Sequence, residues 1–144
     1  MTDKTAILNQ LKELCIAEPT LKIRFPYDIV PDLTARIGDA TQEIFCVITL
    51  SGDHAVINIH EITRGLVNRT LVHPREVFSP AIVDKSAAII VAHNHPSGST
   101  TPSAEDDHAT NRLKDAADLL GIPILDHLII STAGYYSYAE GGKI

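Results

Sequence analysis

The 144-residue sequence predicts an α/β domain built on a mixed, mostly antiparallel sheet with helices on its faces. Two segments, 43–62 and 128–138, each contain a pair of apolar runs separated by turn residues, which is typical of a β-hairpin. Between them lies an apolar strand, 87–92, with a helical segment on either side of it. Elements in this order pack helices against a sheet, and the length is sufficient to bury a core.

The N-terminal residues predict a helix followed by an arm. Residues 3–16 begin with Asp3 as a helix cap and carry apolar side chains at helical spacing. Residues 21–25 are bounded by prolines and form either a first strand or an extended arm. The amphipathic helix has no evident place in the core, so we predict that it packs across a homodimer interface. We therefore treat 1–20 as an N-terminal helix and arm and 21–144 as the folded domain.

The next elements follow from apolar patterning and turn residues. Residues 31–37 predict a short helix that ends at Gly38. Residues 43–50 form a strand that is apolar on both faces after its first residue, and 55–62 return beside it as the second strand of a hairpin. A helix is predicted over 73–85, with a proline near its middle that should bend or shorten it.

The central strand leads into a polar stretch that begins with His93-Asn94-His95. Because side chains alternate along a strand, His93 and His95 point to one side of the sheet and Asn94 points to the other. Proline and glycine residues then turn the chain towards the next helix.

That next helix is predicted to begin at Thr101, with Pro102 in its first position, and to run to Leu120. On it, Ser103 and Asp106 are three residues apart and share the face that packs on the sheet. Asp106 is therefore aimed back towards the two histidines.

Two imidazoles and one carboxylate that converge in this way form a site for a divalent metal. Three ligands of the nitrogen and oxygen type suit zinc and leave a fourth position for water, which is the pattern of catalytic zinc sites. We predict that His93, His95 and Asp106 bind one zinc ion per chain. Neither Cys15 nor Cys46 lies near this stretch, which excludes a cysteine-rich structural site.

Several of the remaining titratable side chains could act as a general base, and the sequence does not single out one of them. Glu43, Glu61 and Glu140 all lie at strand ends, and each could take a proton from a zinc-bound water. Glu43 has the best case, because a carboxylate that opens an otherwise apolar strand should be either solvated or used. We expect His127 to form a hydrogen bond with the neighbouring Asp126 and to be structural.

The composition of the chain indicates which partners and which cellular location to expect. The formal charge of −6 argues against nucleic-acid binding through bulk electrostatics, and leaves only a local basic patch from Arg64, Arg69 and Arg75. Ordinary solvated charge is the alternative reading of these arginines. No apolar run approaches twenty residues, so no membrane segment is predicted. Two cysteines provide no disulfide framework, and we expect a cytoplasmic protein.

The motif resembles that of a known family. The spacing His-x-His, seven residues, Ser, two residues, Asp is similar to the signature of the JAMM metallopeptidases, also called JAB or MPN-plus. The residues at 93–98, with 71–78 before them and 125–129 after them, resemble the RadC branch of that family. The resemblance extends from about Ile23 to Ser137.

The resemblance implies a cytidine-deaminase-like sandwich and a zinc-dependent hydrolase of peptide, isopeptide or related amide bonds. It assigns Glu43 as the general base and the Ser103 hydroxyl as the group that steadies the tetrahedral intermediate, although Ser103 can also cap the helix. Full-length RadC proteins carry a helix-hairpin-helix segment before this domain, for which residues 1–22 leave no room. The alternative function is a non-catalytic, DNA-repair-associated binding module with a structural or unused metal site.

Overall fold

The computed structural model describes residues 21–65 and 72–144. Within these residues one sheet contains the strands β1 (Ile44–Leu50), β2 (Val56–Arg64), β3 (Ala88–Asn94), β4 (Ile124–Ser131) and β5 (Gly134–Ser137). The helices are α1 (Val30–Leu33), which continues as a π-helical turn over Thr34–Gly38, then α2 (Pro74–Val83) and α3 (Ala104–Leu120). This architecture confirms the predicted α/β class.

The sheet has the strand order β2-β1-β3-β4-β5. Three of the neighbouring pairs are antiparallel, and the first of them is the predicted hairpin of β1 and β2. The central pair of β3 and β4 is parallel. Parallel neighbours require a crossover connection, and α3 supplies it. The sheet is therefore mixed and mostly antiparallel, as predicted.

Side-chain alternation divides the central strands between two apolar cores. In β3, Ile89 and Val91 belong to the core that packs against α2 and α3, whereas Ile90 and Ala92 belong to the core beneath α1. Every residue of β1 and β3 is buried, as expected for strands covered on both faces. The same alternation sends His93 towards α3 and Asn94 towards the opposite face.

The helix α3 begins two residues later than predicted. Thr101 and Pro102 precede the helix, and Ser103 is its N-cap. The Ser103 hydroxyl oxygen accepts a hydrogen bond from the Asp106 amide at 3.0 Å, and the Asp106 carboxylate accepts one from the Ser103 amide at 2.8 Å. This capping box satisfies two backbone donors at once, which explains why the helix begins at Ala104.

The structure also differs from two of the strand predictions. The strand β4 begins at Ile124, four residues earlier than predicted, because it pairs in parallel with β3 from Ile124 onwards. In residues 21–25 the structure shows only an isolated bridge between Lys22 and Ala55, so this segment is an extended arm and not a strand of the sheet.

The predicted helix at 3–16 and the homodimer interface that it would form lie outside the described residues and stay predictions. Over residues 21–65 and 72–144, the structure contains no helix that is both long enough and apolar enough to span a bilayer.

Asn94 connects the central strand to the segment that precedes β1. Its side-chain oxygen accepts a hydrogen bond from the Ile44 amide at 2.6 Å, and its side-chain nitrogen donates to the carbonyls of Gln42 at 3.0 Å and Ala40 at 3.4 Å. Asn94 is completely buried, so water does not replace these partners. The middle residue of His-Asn-His thus fixes the backbone on either side of Glu43.

Replacing Asn94 with alanine should destabilise the protein measurably. The substitution leaves the buried Ile44 amide without its partner, and such a loss costs about 1–3 kcal/mol. Denaturant unfolding of Asn94→Ala should therefore show a lower free energy of unfolding. The exposed Asn111→Ala on α3 is the control and should stay within about 0.5 kcal/mol of wild type. Equal stability of Asn94→Ala and wild type would contradict the anchoring role.

Candidate metal centre

Three predicted ligands meet where β3 ends and α3 begins. The Nε2 atoms of His93 and His95 are 3.1 Å apart. The two carboxylate oxygens of Asp106 reach one imidazole each, with Oδ1 3.2 Å from Nε2 of His93 and Oδ2 3.2 Å from Nε2 of His95. The side chains of His93 and Asp106 have no exposed surface, and that of His95 is 10% exposed. The structure thus brings the three residues together; that they bind a metal stays a prediction.

Glu43 lies beside this cluster. Its Oε1 atom is 4.0 Å from Nε2 of His93, and its side chain is 15% exposed. One potential ligand atom from each of Glu43, His93 and His95 lies within 4.8 Å of the others, so these three residues could also hold a metal ion. The other two candidate bases have different surroundings: Glu61 forms an ion pair with Arg64, and Glu140 accepts a hydrogen bond from Tyr135.

The hydrogen bonding of His95 determines which of its nitrogens faces the cluster as an acceptor. Its Nδ1 atom lies 2.8 Å from the carbonyl oxygen of Ser99. A carbonyl can only accept, so Nδ1 carries the proton in the neutral ring and Nε2 presents a lone pair. That lone pair points towards the Asp106 carboxylate and the His93 ring, an arrangement that is repulsive unless a proton or a metal ion lies between them.

The spacing of these atoms fits a zinc ion. In a tetrahedral site with zinc–nitrogen bonds near 2.0–2.1 Å, two ligand atoms are separated by about 3.3–3.4 Å. The two nitrogens are 3.1 Å apart, and each lies 3.2 Å from a different oxygen of Asp106, so the separations between neighbouring donor atoms are close to that value. The donor set of two imidazoles and one carboxylate also fits zinc, and no main-chain rearrangement is needed to bring the donors together.

Asp106 is held in its ionised form. Burial raises the pKa of this carboxyl. Hydrogen bonds from the His93 and His95 rings, when these carry a proton on Nε2, and from the Ser103 amide lower it by more, so the pKa lies below its ordinary value. An ionised carboxylate between two imidazoles favours a bound cation.

Ser103 supports the carboxylate from the other side. Its amide donates to Oδ2 of Asp106, the same oxygen that lies 3.2 Å from His95. The cap that was expected as the structural role of Ser103 is therefore present, and it also orients the Asp106 carboxylate. Its role towards a reaction intermediate stays a prediction.

His127 contributes to this site in a way that the sequence did not predict. It was expected to bond with Asp126 as a structural pair, but only its main-chain amide does so, at 2.7 Å from the Asp126 Oδ1 atom. Its imidazole instead places Nε2 2.7 Å from Nδ1 of His93. The contact arises because β4 lies parallel to β3 with His127 opposite Val91, on the face shared with His93. No local spacing in the sequence signals this contact.

The basic patch predicted from Arg64, Arg69 and Arg75 receives little support from the structure. Arg64 forms two hydrogen bonds with Glu61, at 2.7 and 3.1 Å, so its charge is partly compensated. Arg69 lies outside the described residues. Binding of nucleic acid therefore stays untested.

Comparison with known proteins places these features in a family context. A family model described as the RadC-like JAB domain matches residues 23–143. A UPF0758 protein from Staphylococcus haemolyticus is 47% identical over 122 residues, which cover 85% of this chain and 54% of that protein. A UPF0758 protein from Clostridium beijerinckii is 40% identical over 138 residues, which cover 96% of this chain and 60% of that protein. The chain spans roughly half to three-fifths of the length of these relatives.

Removal of the Ser103 cap should lower stability by an amount that depends on the replacement. Ser103→Ala should reduce the free energy of unfolding by about 1 kcal/mol, and Ser103→Gly by only a few tenths, because glycine is tolerated at an N-cap and alanine is not. Denaturant unfolding of the metal-free variants measures both values. If Ser103→Ala is as stable as wild type, the cap does not contribute as the geometry indicates.

Proposed function

The chain belongs to the RadC-like JAB domain family, and from this premise we propose that it is a zinc-dependent hydrolase that cleaves a peptide, isopeptide or related amide bond. The observation that carries the proposal is the convergence of His93, His95 and Asp106 at 3.1–3.2 Å, with the Glu43 carboxylate 4.0 Å from His93. A buried cluster of acceptors beside a partly exposed carboxylate combines a metal site with a general base.

Zinc is the metal that this donor set favours. His93, His95 and Asp106 supply two nitrogens and one oxygen, which leaves one position of a tetrahedron open to water or substrate. Within the described part of the chain the cysteine is Cys46, whose pKa is raised to about 11 by burial, and it belongs to the core on the opposite face of the sheet. Sulfur ligation is therefore not expected.

Zinc, when bound, acidifies a water molecule and polarises the carbonyl of the scissile bond. Glu43 would take the proton from the attacking water and pass it to the leaving nitrogen, since its side chain is partly exposed and next to the ligands. Ser103 would donate its hydroxyl hydrogen to the carbonyl oxygen as negative charge develops there. A hydroxyl donor of this kind contributes roughly 2.7–4 kcal/mol to the stability of the transition state.

A peptide or protein substrate would reach the site from the partly exposed side of His95 and Glu43. We place the activity in the cytoplasm because the sequence carries no disulfide framework. The alternative, a non-catalytic DNA-associated module, has less support, because Arg64 is already paired with Glu61. Turnover by the zinc-loaded protein distinguishes these two functions.

The purified protein should bind one zinc ion per chain, and zinc should raise its melting temperature. A ligand that binds only the folded state stabilises it by about 4.1 kcal/mol at a thousandfold excess over Kd. His95→Ala should weaken zinc binding by more than about 100-fold, beyond the roughly 10–100-fold loss typical of residues that merely support ligands. The matched control is His108→Ala, an exposed histidine on α3, which should bind as wild type does. Equal zinc affinity in all three proteins would refute the assignment of His95.

Replacing Glu43 with glutamine should separate metal binding from turnover. Glu43→Gln should keep its zinc but lose roughly 100- to 10,000-fold in kcat, because the amide cannot accept the proton. The measurement uses zinc-loaded protein and a library of internally quenched peptides and isopeptides. Glu61→Gln and Glu140→Gln are matched controls that should retain wild-type turnover.

Two outcomes of the turnover experiment would count against the proposal. Wild-type rates in Glu43→Gln would remove Glu43 as the base. Stoichiometric zinc with no cleavage of any library member by wild type would favour the non-catalytic module.

A further inference from the structure

A chain of buried hydrogen bonds leads away from His93 on the side opposite the ligand cluster. Nδ1 of His93 is 2.7 Å from Nε2 of His127, and Nδ1 of His127 is 2.6 Å from Oγ1 of Thr110. The Thr110 hydroxyl donates to the main-chain carbonyl of Asp106 at 2.7 Å. His93, His127 and Thr110 are each at most 2% exposed, so solvent does not compete for these bonds.

The last acceptor in the chain sets the direction of every bond before it. The Asp106 carbonyl can only accept, so it takes the Thr110 hydroxyl proton. The Thr110 oxygen then accepts from Nδ1–H of His127, which leaves Nε2 of His127 with a lone pair. That lone pair accepts from Nδ1–H of His93, and Nε2 of His93 is left as the atom without a proton.

The surroundings of Thr110 do not supply a proton that would reverse this order. The Tyr138 hydroxyl also lies beside Thr110, but it donates its own hydrogen to the Asp107 Oδ1 atom at 2.7 Å. Tyr138 can therefore only accept from Thr110. Both neighbours draw the Thr110 proton away from His127, which keeps Oγ1 as an acceptor for the ring.

Aromatic packing holds the two imidazole rings in the required planes. The Tyr138 ring stacks on His127 with centroids 4.8 Å apart and an interplanar angle of 11°. The Phe45 ring is nearly parallel to His93, with centroids 6.2 Å apart, and meets His127 edge-on. Rotation of either imidazole away from its partner would require these buried rings to move.

From this chain we propose that Thr110 and His127 are positioning residues that hold His93 in the tautomer protonated at Nδ1, so that its Nε2 lone pair faces the metal. The inference rests on the metal site of the proposed function. Neither residue needs to touch the metal. The Thr110 hydroxyl donates to the Asp106 carbonyl. This chain of hydrogen bonds, the relay, therefore also links His93 on β3 to Asp106 on α3 through His127 on β4. His95 is fixed separately by the Ser99 carbonyl.

The test compares two variants of Thr110 that separate the effect of its hydroxyl group from the effect of its side-chain volume. Thr110→Val keeps the volume and removes the hydroxyl, whereas Thr110→Ser keeps the hydroxyl and loses one methyl group. Zinc affinity, measured by competition with a chromophoric chelator, should fall by roughly 10–100-fold in Thr110→Val, as is typical when a ligand loses its supporting hydrogen bond. Thr110→Ser should bind within about threefold of wild type, since affinity follows the hydroxyl.

A second readout requires neither metal nor activity. Long-range ¹H–¹⁵N spectra of histidine-labelled, metal-free protein at a pH of about 8, above the ordinary histidine pKa, report which ring nitrogen carries the proton. In wild type and Thr110→Ser, both His93 and His127 should be protonated at Nδ1. In Thr110→Val, the His127 proton should redistribute towards Nε2.

The outcomes separate the relay from the metal site. Zinc affinity that is unchanged in Thr110→Val, or lowered equally in both Thr110 variants, would overturn the relay while the metal site stands. A wild-type spectrum with His127 protonated at Nε2 would also overturn it, and this result depends on no variant being able to fold. If wild type binds no zinc, the proposed function fails, and the tautomer spectrum still decides whether the relay exists.

Discussion

The structure depends on holding two imidazole nitrogens 3.1 Å apart, each 3.2 Å from a different oxygen of one carboxylate, in a pocket from which water is largely excluded. Such an arrangement is unfavourable without a cation, because buried lone pairs and a carboxylate repel each other in a medium of low dielectric constant. The free energy that maintains it comes from elsewhere in the fold: two apolar cores, a central strand buried on both faces, and hydrogen bonds that orient each side chain. A divalent cation bound there would convert the same repulsion into binding free energy.

Alternation along one strand gives the motif His-Asn-His two separate functions. His93 faces α3 and the other ligands, whereas Asn94 faces the opposite core and fixes the backbone around Glu43. The four side chains of the site also differ in their exposure to solvent. His93 and Asp106 are sealed, and His95 and Glu43 retain some contact with solvent. A substrate would therefore approach from the side of His95 and Glu43, while the buried pair keeps its geometry.

Local patterns in the sequence predicted much of the site, and tertiary pairing determined the remainder. The strand period brought His93 and His95 to one side, and helical spacing brought Asp106 towards them. The choice among three glutamates required the sheet, in which Glu43 alone of the three lies beside His93. The contact of the His127 ring with His93 was not predicted, because it follows from parallel pairing across a helical crossover, which leaves no short-range signal. The helix start was displaced because Ser103 and Asp106 form a reciprocal cap.

The most direct test of the central claim is a crystal structure of zinc-soaked protein with anomalous diffraction data collected on both sides of the zinc absorption edge. We expect a single anomalous peak per chain, about 2.0–2.1 Å from Nε2 of His93 and of His95 and about 2.0–2.2 Å from a carboxylate oxygen of Asp106. A peak at another location, or one coordinated without both of these histidines, would contradict the account.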